Sequence, residues 1–273
     1  NKERVTFAVS WNHPYNVLGN YPNLKVVSSL GAGVNHLIGD EGISDQTKIT
    51  RIMVPSLKSG MADYVLNAVL NYRLHTAKYV DQKREGIWSN HDAVPLFDCT
   101  VGVMGLGEIG SVVVEKLLVN SLSVNGWSAA KKDMEGANCY ALDQLDSFLA
   151  ATNVLVCLLP LTPKTEGILE LGVFKKLKKP AFVINVARGA HLVDEDLIYA
   201  LDTGVLAGAA LDVFSEEPLP PNHQFWNRSK IMITPHVASI TDPIEAANVI
   251  VENYKRSLSG MELLFEVNRA KGY

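Results

Sequence analysis

Arg188, Glu217 and His236 each follow a short apolar run that reads as a β-strand. Arg188 comes directly after Asn185-Val186-Ala187. Glu217 precedes Pro218, shortly after the run 207–213. His236 follows Pro235, just past the run 231–234. In a parallel sheet, ligands gather outside the carboxyl ends of the strands, so all three would line one edge. Their chemistry is complementary. An imidazole changes charge near neutral pH and suits general acid/base work. A carboxylate beside it favours the imidazolium and fixes the ring. An arginine offers a planar two-point donor for a substrate carboxylate. Such a set suits proton delivery to the carbonyl of a 2-keto acid while a nicotinamide supplies hydride. Singly, each residue has a plainer reading. Arg188 would pair with Asp194 or Glu195, Glu217 would be a turn residue before proline, and His236 would cap a strand.

The string Gly105-Leu106-Gly107-Glu108-Ile109-Gly110 is G-x-G-x-x-G, set between a strand at 100–104 and a helix at 109–119. The first glycine permits a tight turn, the second a close approach to a pyrophosphate, and the third close packing of helix on strand. The phosphates would rest on the helix N-terminus, whose unpaired N–H groups favour anions. In that strand–turn–helix context the motif reads as dinucleotide binding. The next strand, read at 121–127, ends in Trp127-Ser128-Ala129-Ala130-Lys131-Lys132. No acid stands at the strand end to hold a ribose 2′-OH, although Asp133 follows close behind the lysines. Ser128, Lys131 and Lys132 would instead receive a 2′-phosphate, so NADP is preferred over NAD; otherwise the lysines are a solvated loop.

These residues need a scaffold, and the pattern supplies one. Strands are expected at 5–10, 25–29, 51–54, 100–104, 121–127, 154–159, 181–186, 207–213 and 231–234. Helices are expected at 60–77, 109–119, 143–150, 171–177, 194–203 and 243–258, with 81–98 as an irregular connection. Alternation of this kind implies a doubly wound parallel α/β sheet.

The chain has 273 residues, 47% hydrophobic, with a formal net charge of -4. That size suggests two domains, or one large one. No basic patch points to nucleic acid, and no apolar run of about 18 residues points to a membrane span. Cys99, Cys139 and Cys157 are widely spaced and match no metal pattern. They read as free thiols, which fits a reducing, cytoplasmic setting. The first residue is Asn1, so a targeting segment is left open. His13, His36, His75, His91, His191 and His223 match no catalytic motif and read as structural or surface residues.

The strings Asn185-Val186-Ala187-Arg188-Gly189, Leu211-Asp212-Val213-Phe214-Ser215-Glu216-Glu217-Pro218-Leu219-Pro220 and Thr234-Pro235-His236 resemble, in order and spacing, the D-isomer-specific 2-hydroxyacid dehydrogenases. The likeness runs from about Val5 to the end. Trp127-Ser128 and the closing 267–273 resemble the branch that reduces glyoxylate and hydroxypyruvate. The resemblance implies two α/β lobes: a Rossmann cofactor domain at 58–240, and a flavodoxin-like substrate domain at 1–57 with 241–273. Against the family pattern, the latter is short of one N-terminal strand and one helix. The resemblance also implies roles. Arg188 binds and polarises substrate, Glu217 orients His236, and His236 is the acid/base. Asp212 would hold the nicotinamide carboxamide. Leu159, Pro160, Thr165, Val186 and Ala187 would lie along the cofactor. Ala32, Gly33 and Val34 resemble the loop whose N–H groups grip the substrate carboxylate; otherwise they form a strand-end turn. Trp88 would either reach a substrate pocket or pack an interdomain arm. A homodimer is implied as well. Ala129 and Ala130 depart from the pattern, since that branch carries arginine near the 2′-phosphate. A cofactor-sensing, corepressor-like protein of this fold, and a dehydrogenase of a larger 2-hydroxy acid, remain open alternatives.

Overall fold

The computed structural model describes residues 1–130 and 132–272. The chain forms two compact units, Asn1–Leu57 with the segment from Ile240 onward, and Lys58–Ser239.

The larger unit is an α/β doubly wound domain. Its strands are β4 (Thr100–Met104), β5 (Ser123–Trp127), β6 (Asn138–Tyr140), β7 (Val154–Cys157), β8 (Phe182–Asn185), β9 (Gly208–Leu211) and β10 (Ile231–Ile233). They form one seven-stranded sheet in the order β10-β9-β8-β7-β4-β5-β6. Every pairing is parallel. Strands β7, β8 and β9 are buried along their whole length, which is why they read as unbroken apolar runs rather than alternating ones. The helices are α2 (Pro55–Arg73), α3 (Thr76–Glu85), α4 (Glu108–Val119), α5 (Leu145–Ala150), α6 (Leu171–Lys176) and α7 (Asp194–Asp202). One core cluster holds Phe148, Phe174, Leu155 and Leu197. The other joins Val65 and Val69 of α2 to Val113 and Leu117 of α4 across Val101, Val103 and Val156. Each such fully buried side chain is worth about 1.5–3 kcal/mol.

The smaller unit has a three-stranded parallel sheet, β1 (Phe7–Ser10), β2 (Val26–Ser29) and β3 (Lys48–Thr50), in that order. It also has the short α1 (Asn35–Ile38) and the long α8 (Pro243–Ser259). Asp242 caps α8, accepting from the N–H groups of Ile244 and Glu245 at 2.9 Å each, and Gly260 ends the helix at φ 71°. Tyr254 of α8 meets Phe7 of β1 edge to face at 5.7 Å.

Several elements differ from the sequence expectation: α1 has no counterpart in it, and the helix expected over 60–77 runs from Pro55 and stops at Arg73. Residues 51–54 are not a strand; β3 ends at Thr50. Ile52, Met53 and Val54 are buried all the same, and Ile52 bonds singly to the Gly31 carbonyl, so burial here comes without a ladder. Residues 81–85 are helical rather than irregular, as part of α3. That helix buries no residue, so it has no apolar stripe to betray it. The edge strand β6 has three residues, too few for a period to show.

Candidate active site

The β4–α4 turn begins with Gly105 at φ 103°, a left-handed conformation that only glycine adopts without strain. The Gly105 N–H donates to the Trp127 carbonyl at 2.8 Å, fixing the turn to the end of β5. A Cβ on Gly110 would lie 1.8 Å from the Gly105 carbonyl oxygen, so helix and turn are in backbone contact. A Cβ on Gly107 would meet nothing within 4 Å. Packing therefore does not require glycine at 107; it leaves an open approach to the N-terminus of the 12-residue α4. Glu108 and Ile109 form the first turn of that helix, and buried Leu106 lies beneath it. Leu158 donates to the Met104 carbonyl at 2.9 Å, which sets Leu159 and Pro160 beside the turn at the β4/β7 switch point of the sheet.

Trp127, which the resemblance puts at the cofactor, instead has its indole buried against Phe148 at the end of β5. The Ser128 hydroxyl donates to the Ala130 carbonyl at 2.6 Å. Lys131 lies outside the described residues. Lys132 reaches back across 26 residues, and its ammonium donates to the Leu106 carbonyl, placing a cation on the glycine turn. Thr165 donates to the Pro160 carbonyl at 2.7 Å and receives the Thr162 N–H at 2.9 Å, closing the turn after β7.

The three polar candidates sit past β8, β9 and β10. Asn185, fully buried at the end of β8, holds the Arg188 loop from both sides. Its amide donates to the Arg188 carbonyl at 2.9 Å and its oxygen accepts from Ala187 N–H at 3.2 Å. Val186 and Ala187 are buried beneath. The Arg188 guanidinium donates to the Ala187 carbonyl. Burial pushes its pKa down, and the nearby Glu217 charge opposes that shift. A Cβ on Gly189 would fall 1.8 Å from the Phe214 carbonyl carbon, so this loop lies directly on the chain leading to Glu217. One Glu217 oxygen accepts from Phe214 N–H at 2.9 Å. The other lies 2.7 Å from Nδ1 of His236.

His236 has φ 55°, unusual for a residue with a Cβ. Asp212 imposes that shape. Its buried carboxylate accepts from the Thr234 hydroxyl at 2.6 Å, from Val237 N–H at 2.8 Å and from Ala238 N–H at 2.8 Å. Its backbone carbonyl takes the His236 N–H at 2.8 Å. A carboxylate has about four acceptor positions, so room for roughly one further donor remains. Tyr64 of α2 completes the chain, donating to Thr234 at 2.6 Å. Burial, with the Asp212 charge adding, pushes the Tyr64 pKa up to about 12, and the Thr234 bond only partly offsets it.

In the smaller unit, Ala32, Gly33 and Val34 link β2 to α1. Ser29 cinches this loop, accepting from Gly31 N–H at 3.2 Å and donating to the Gly33 carbonyl at 2.9 Å. Val34 is buried, while Ala32 and Gly33 are half-buried. Trp88 follows α3 and is fully exposed, at 102%. Sequence reasoning missed Asn185, Tyr64 and Thr234. Each acts through a hydrogen bond, and the strand-end positions of Asn185 and Thr234 gave the only signal.

A doubly wound sheet, a glycine turn at its switch point and a His–Glu pair past β9 and β10 define a dinucleotide-dependent oxidoreductase. Residues 66–238 match the family model "D-isomer specific 2-hydroxyacid dehydrogenase, NAD binding domain", and the chain belongs to that family. Among curated relatives, it is 38% identical over 264 residues to glyoxylate/hydroxypyruvate reductase A of Photorhabdus laumondii, covering 94% of this chain and 84% of that one. It is 35% identical to the reductase of the same name from Yersinia enterocolitica, covering 98% and 87%. Among solved structures, it is similar to a D-isomer specific 2-hydroxyacid dehydrogenase from Xanthobacter autotrophicus in complex with NADPH and MES (TM-score 0.95, 37% identity, 100% and 87% covered). It is also similar to the NADPH-dependent glyoxylate/hydroxypyruvate reductase of Sinorhizobium meliloti in complex with NADP and sulfate (TM-score 0.94, 35% identity, 99% and 87% covered).

Proposed function

We propose that this protein reduces small 2-keto acids, glyoxylate and hydroxypyruvate, to D-2-hydroxy acids with NADPH. The observation that carries the reading is the 2.7 Å contact of His236 with Glu217, on the sheet edge that also presents Arg188. The chain's residues fit the cofactor. Gly107 leaves open space at a helix N-terminus, Lys132 sets a cation on the same turn, and no acid stands among the five residues after Trp127. The residues that would hold it are Gly105–Gly110, Ser128, Lys132, Leu159, Pro160, Thr165, Val186, Ala187 and Asp212. When bound, the cofactor supplies the hydride.

The protein's own residues do the rest. Arg188 binds the keto acid through its carboxylate, and Ala32, Gly33 and Val34 offer backbone N–H groups to the same class of anion. Protonated His236 gives its Nε2 proton to the carbonyl oxygen as the alcohol forms. Glu217 accepts from Nδ1, which fixes the tautomer and stabilises the imidazolium before transfer. In the reverse direction neutral His236 takes the alcohol proton. Two further readings stand beside this one: a homodimer, implied by the family resemblance, built on the exposed arm carrying Ile87, Trp88 and Phe97, and a cytoplasmic location, which rests on the three free cysteines. Among the described residues no helix is long and apolar enough to cross a membrane.

The test follows nicotinamide absorbance with each keto acid and each of NADPH and NADH. Faster turnover with NADPH is expected. Turnover with NADH alone would overturn the cofactor assignment. Cofactor binding with no turnover of either acid would overturn the enzyme reading in favour of a cofactor sensor.

A further inference from the structure

His191 is fully buried, and its ring touches two segments that carry the proposed chemistry. The backbone N–H of Arg188 points at Nδ1 from 3.2 Å. On the other side of the ring, Nε2 lies 3.3 Å from the Pro160 carbonyl oxygen. Nδ1 is also 3.1 Å from the Arg188 carbonyl. With the proton on Nε2, the ring donates to Pro160 and accepts from Arg188, making two bonds. With the proton on Nδ1, it makes one bond, to the Arg188 carbonyl. The Arg188 N–H then faces another donor, and the Nε2 lone pair faces the Pro160 oxygen. The Nε2-protonated ring leaves one opposed contact, its Nδ1 lone pair against the Arg188 carbonyl, whereas the alternative leaves two and makes one bond fewer, so a buried site favours the former. Burial also holds the ring's pKa below its ordinary value, although the bonds to Pro160 and Arg188 pull upward. Pro160 thereby receives two donors, His191 and the Thr165 hydroxyl.

We infer that His191 is a positioning residue whose Nε2-protonated ring ties the backbone of Arg188 to the carbonyl of Pro160. The arginine that grips the substrate and the segment that lines the cofactor are thus held in one register. The inference rests on the roles of Arg188 and Pro160 given under the proposed function. The backbone at this position is secured independently. The His191 carbonyl accepts from Leu169 N–H at 2.8 Å, and Leu192 bridges Leu169 in parallel. Side-chain variants therefore keep the segment in place.

Two isosteric variants separate the two bonds. In His191→Asn the amide oxygen occupies the Nδ1 position, so Arg188 keeps its acceptor and Pro160 loses its donor. In His191→Gln the amide nitrogen reaches the Nε2 position, so the reverse holds. One neutral hydrogen bond corresponds to about a fivefold effect. His191→Asn should weaken NADPH binding about fivefold by fluorescence titration, with the keto-acid KM within about twofold of wild type. His191→Gln should raise the keto-acid KM about fivefold and leave NADPH affinity within about twofold. Equal losses in both constants for both variants, or no change in either, would overturn the inference. A long-range proton–nitrogen correlation spectrum of 15N-histidine-labelled protein adds a readout free of turnover. The signal absent from His191→Asn should show the Nε2–H pattern, and an Nδ1–H or averaged pattern would overturn the inference. If the wild type reduces no keto acid, the functional reading falls. The NADPH titration and the spectrum still decide the His191 bonds.

Discussion

Gly189→Ala tests the contact on which the site is built. The added Cβ would lie 1.8 Å from the Phe214 carbonyl carbon, 2.1 Å from its oxygen and 2.2 Å from Ser215 N. All three are backbone atoms, so no side chain can swing aside. Restoring ordinary contact at about 3.4 Å means parting the two loops by roughly 1.6 Å. Phe214 N–H is the donor that holds Glu217, and Glu217 holds His236 at 2.7 Å. The displacement therefore passes straight to the His–Glu pair and to Arg188 on the opposing loop. A misplacement of about 1 Å costs on the order of 10²-fold in rate, or about 2.7 kcal/mol of transition-state stabilisation. Overpacking of this kind also destabilises by about 1–3 kcal/mol, a fall in Tm of several degrees. The assay measures kcat/KM for glyoxylate at saturating NADPH, beside cofactor affinity by fluorescence and Tm by calorimetry. Cofactor affinity should fall less than kcat/KM, because the glycine turn follows β4 and only Val186, Ala187 and Asp212 of the cofactor set adjoin the parted loops. A variant with kcat/KM within about threefold of wild type and an unchanged Tm would refute the reasoning.

Gly107→Ala should behave in the opposite way, since its Cβ meets nothing. Tm should stay within about 1 °C while NADPH affinity drops at least tenfold, and unchanged affinity would remove Gly107 from the cofactor site. His236→Gln should bind NADPH normally and lose turnover by a factor on the order of 10²–10⁴, with single-turnover kinetics as the check. Lys132→Ala should lower kcat/KM for NADPH about tenfold or more and leave the NADH value alone, as expected for a lost charge-assisted bond. Equal losses with both cofactors would assign Lys132 to the turn's stability instead. The His191 pKa is lowered in the fold, chiefly by burial, from 6.5. Below that pH the unfolded chain takes up a proton that the folded chain refuses, so this residue costs stability as pH falls and contributes nothing above about 6.5. His191→Asn should therefore lose Tm less steeply than wild type between pH 6.5 and 5.5, and parallel curves would refute the assignment.

The elements carrying Arg188, Glu217 and His236 were legible because β8, β9 and β10 are short apolar runs that stop at a polar residue or a proline. The glycine turn was legible because backbone geometry limits the residue choice at Gly105 and Gly110. The smaller unit was harder to read. Residues 51–54 are as apolar as a strand and are buried without a ladder, a distinction that rests on the partner and not on the residues. α3 was hidden because it buries nothing. The supporting partners of the site were hidden for another reason: Tyr64 meets Thr234 across 170 residues and His191 meets Pro160 across 31, and no local pattern encodes such pairs. Lys132 was legible as a cation, while its reach back to Leu106 was not.

Asp212 holds the His236 loop by main-chain N–H groups, which belong to every residue type except proline. The loop's shape is therefore independent of the side chains at 237 and 238. Ala238 is packed into the core, but Val237 is 42% exposed and its side chain has no part in setting the shape. Position 237 is thus free to vary beside a fixed histidine. Substitutions there can retune what lies next to the acid/base group without redesigning how that group is held, which makes it a natural first position for a diversified library.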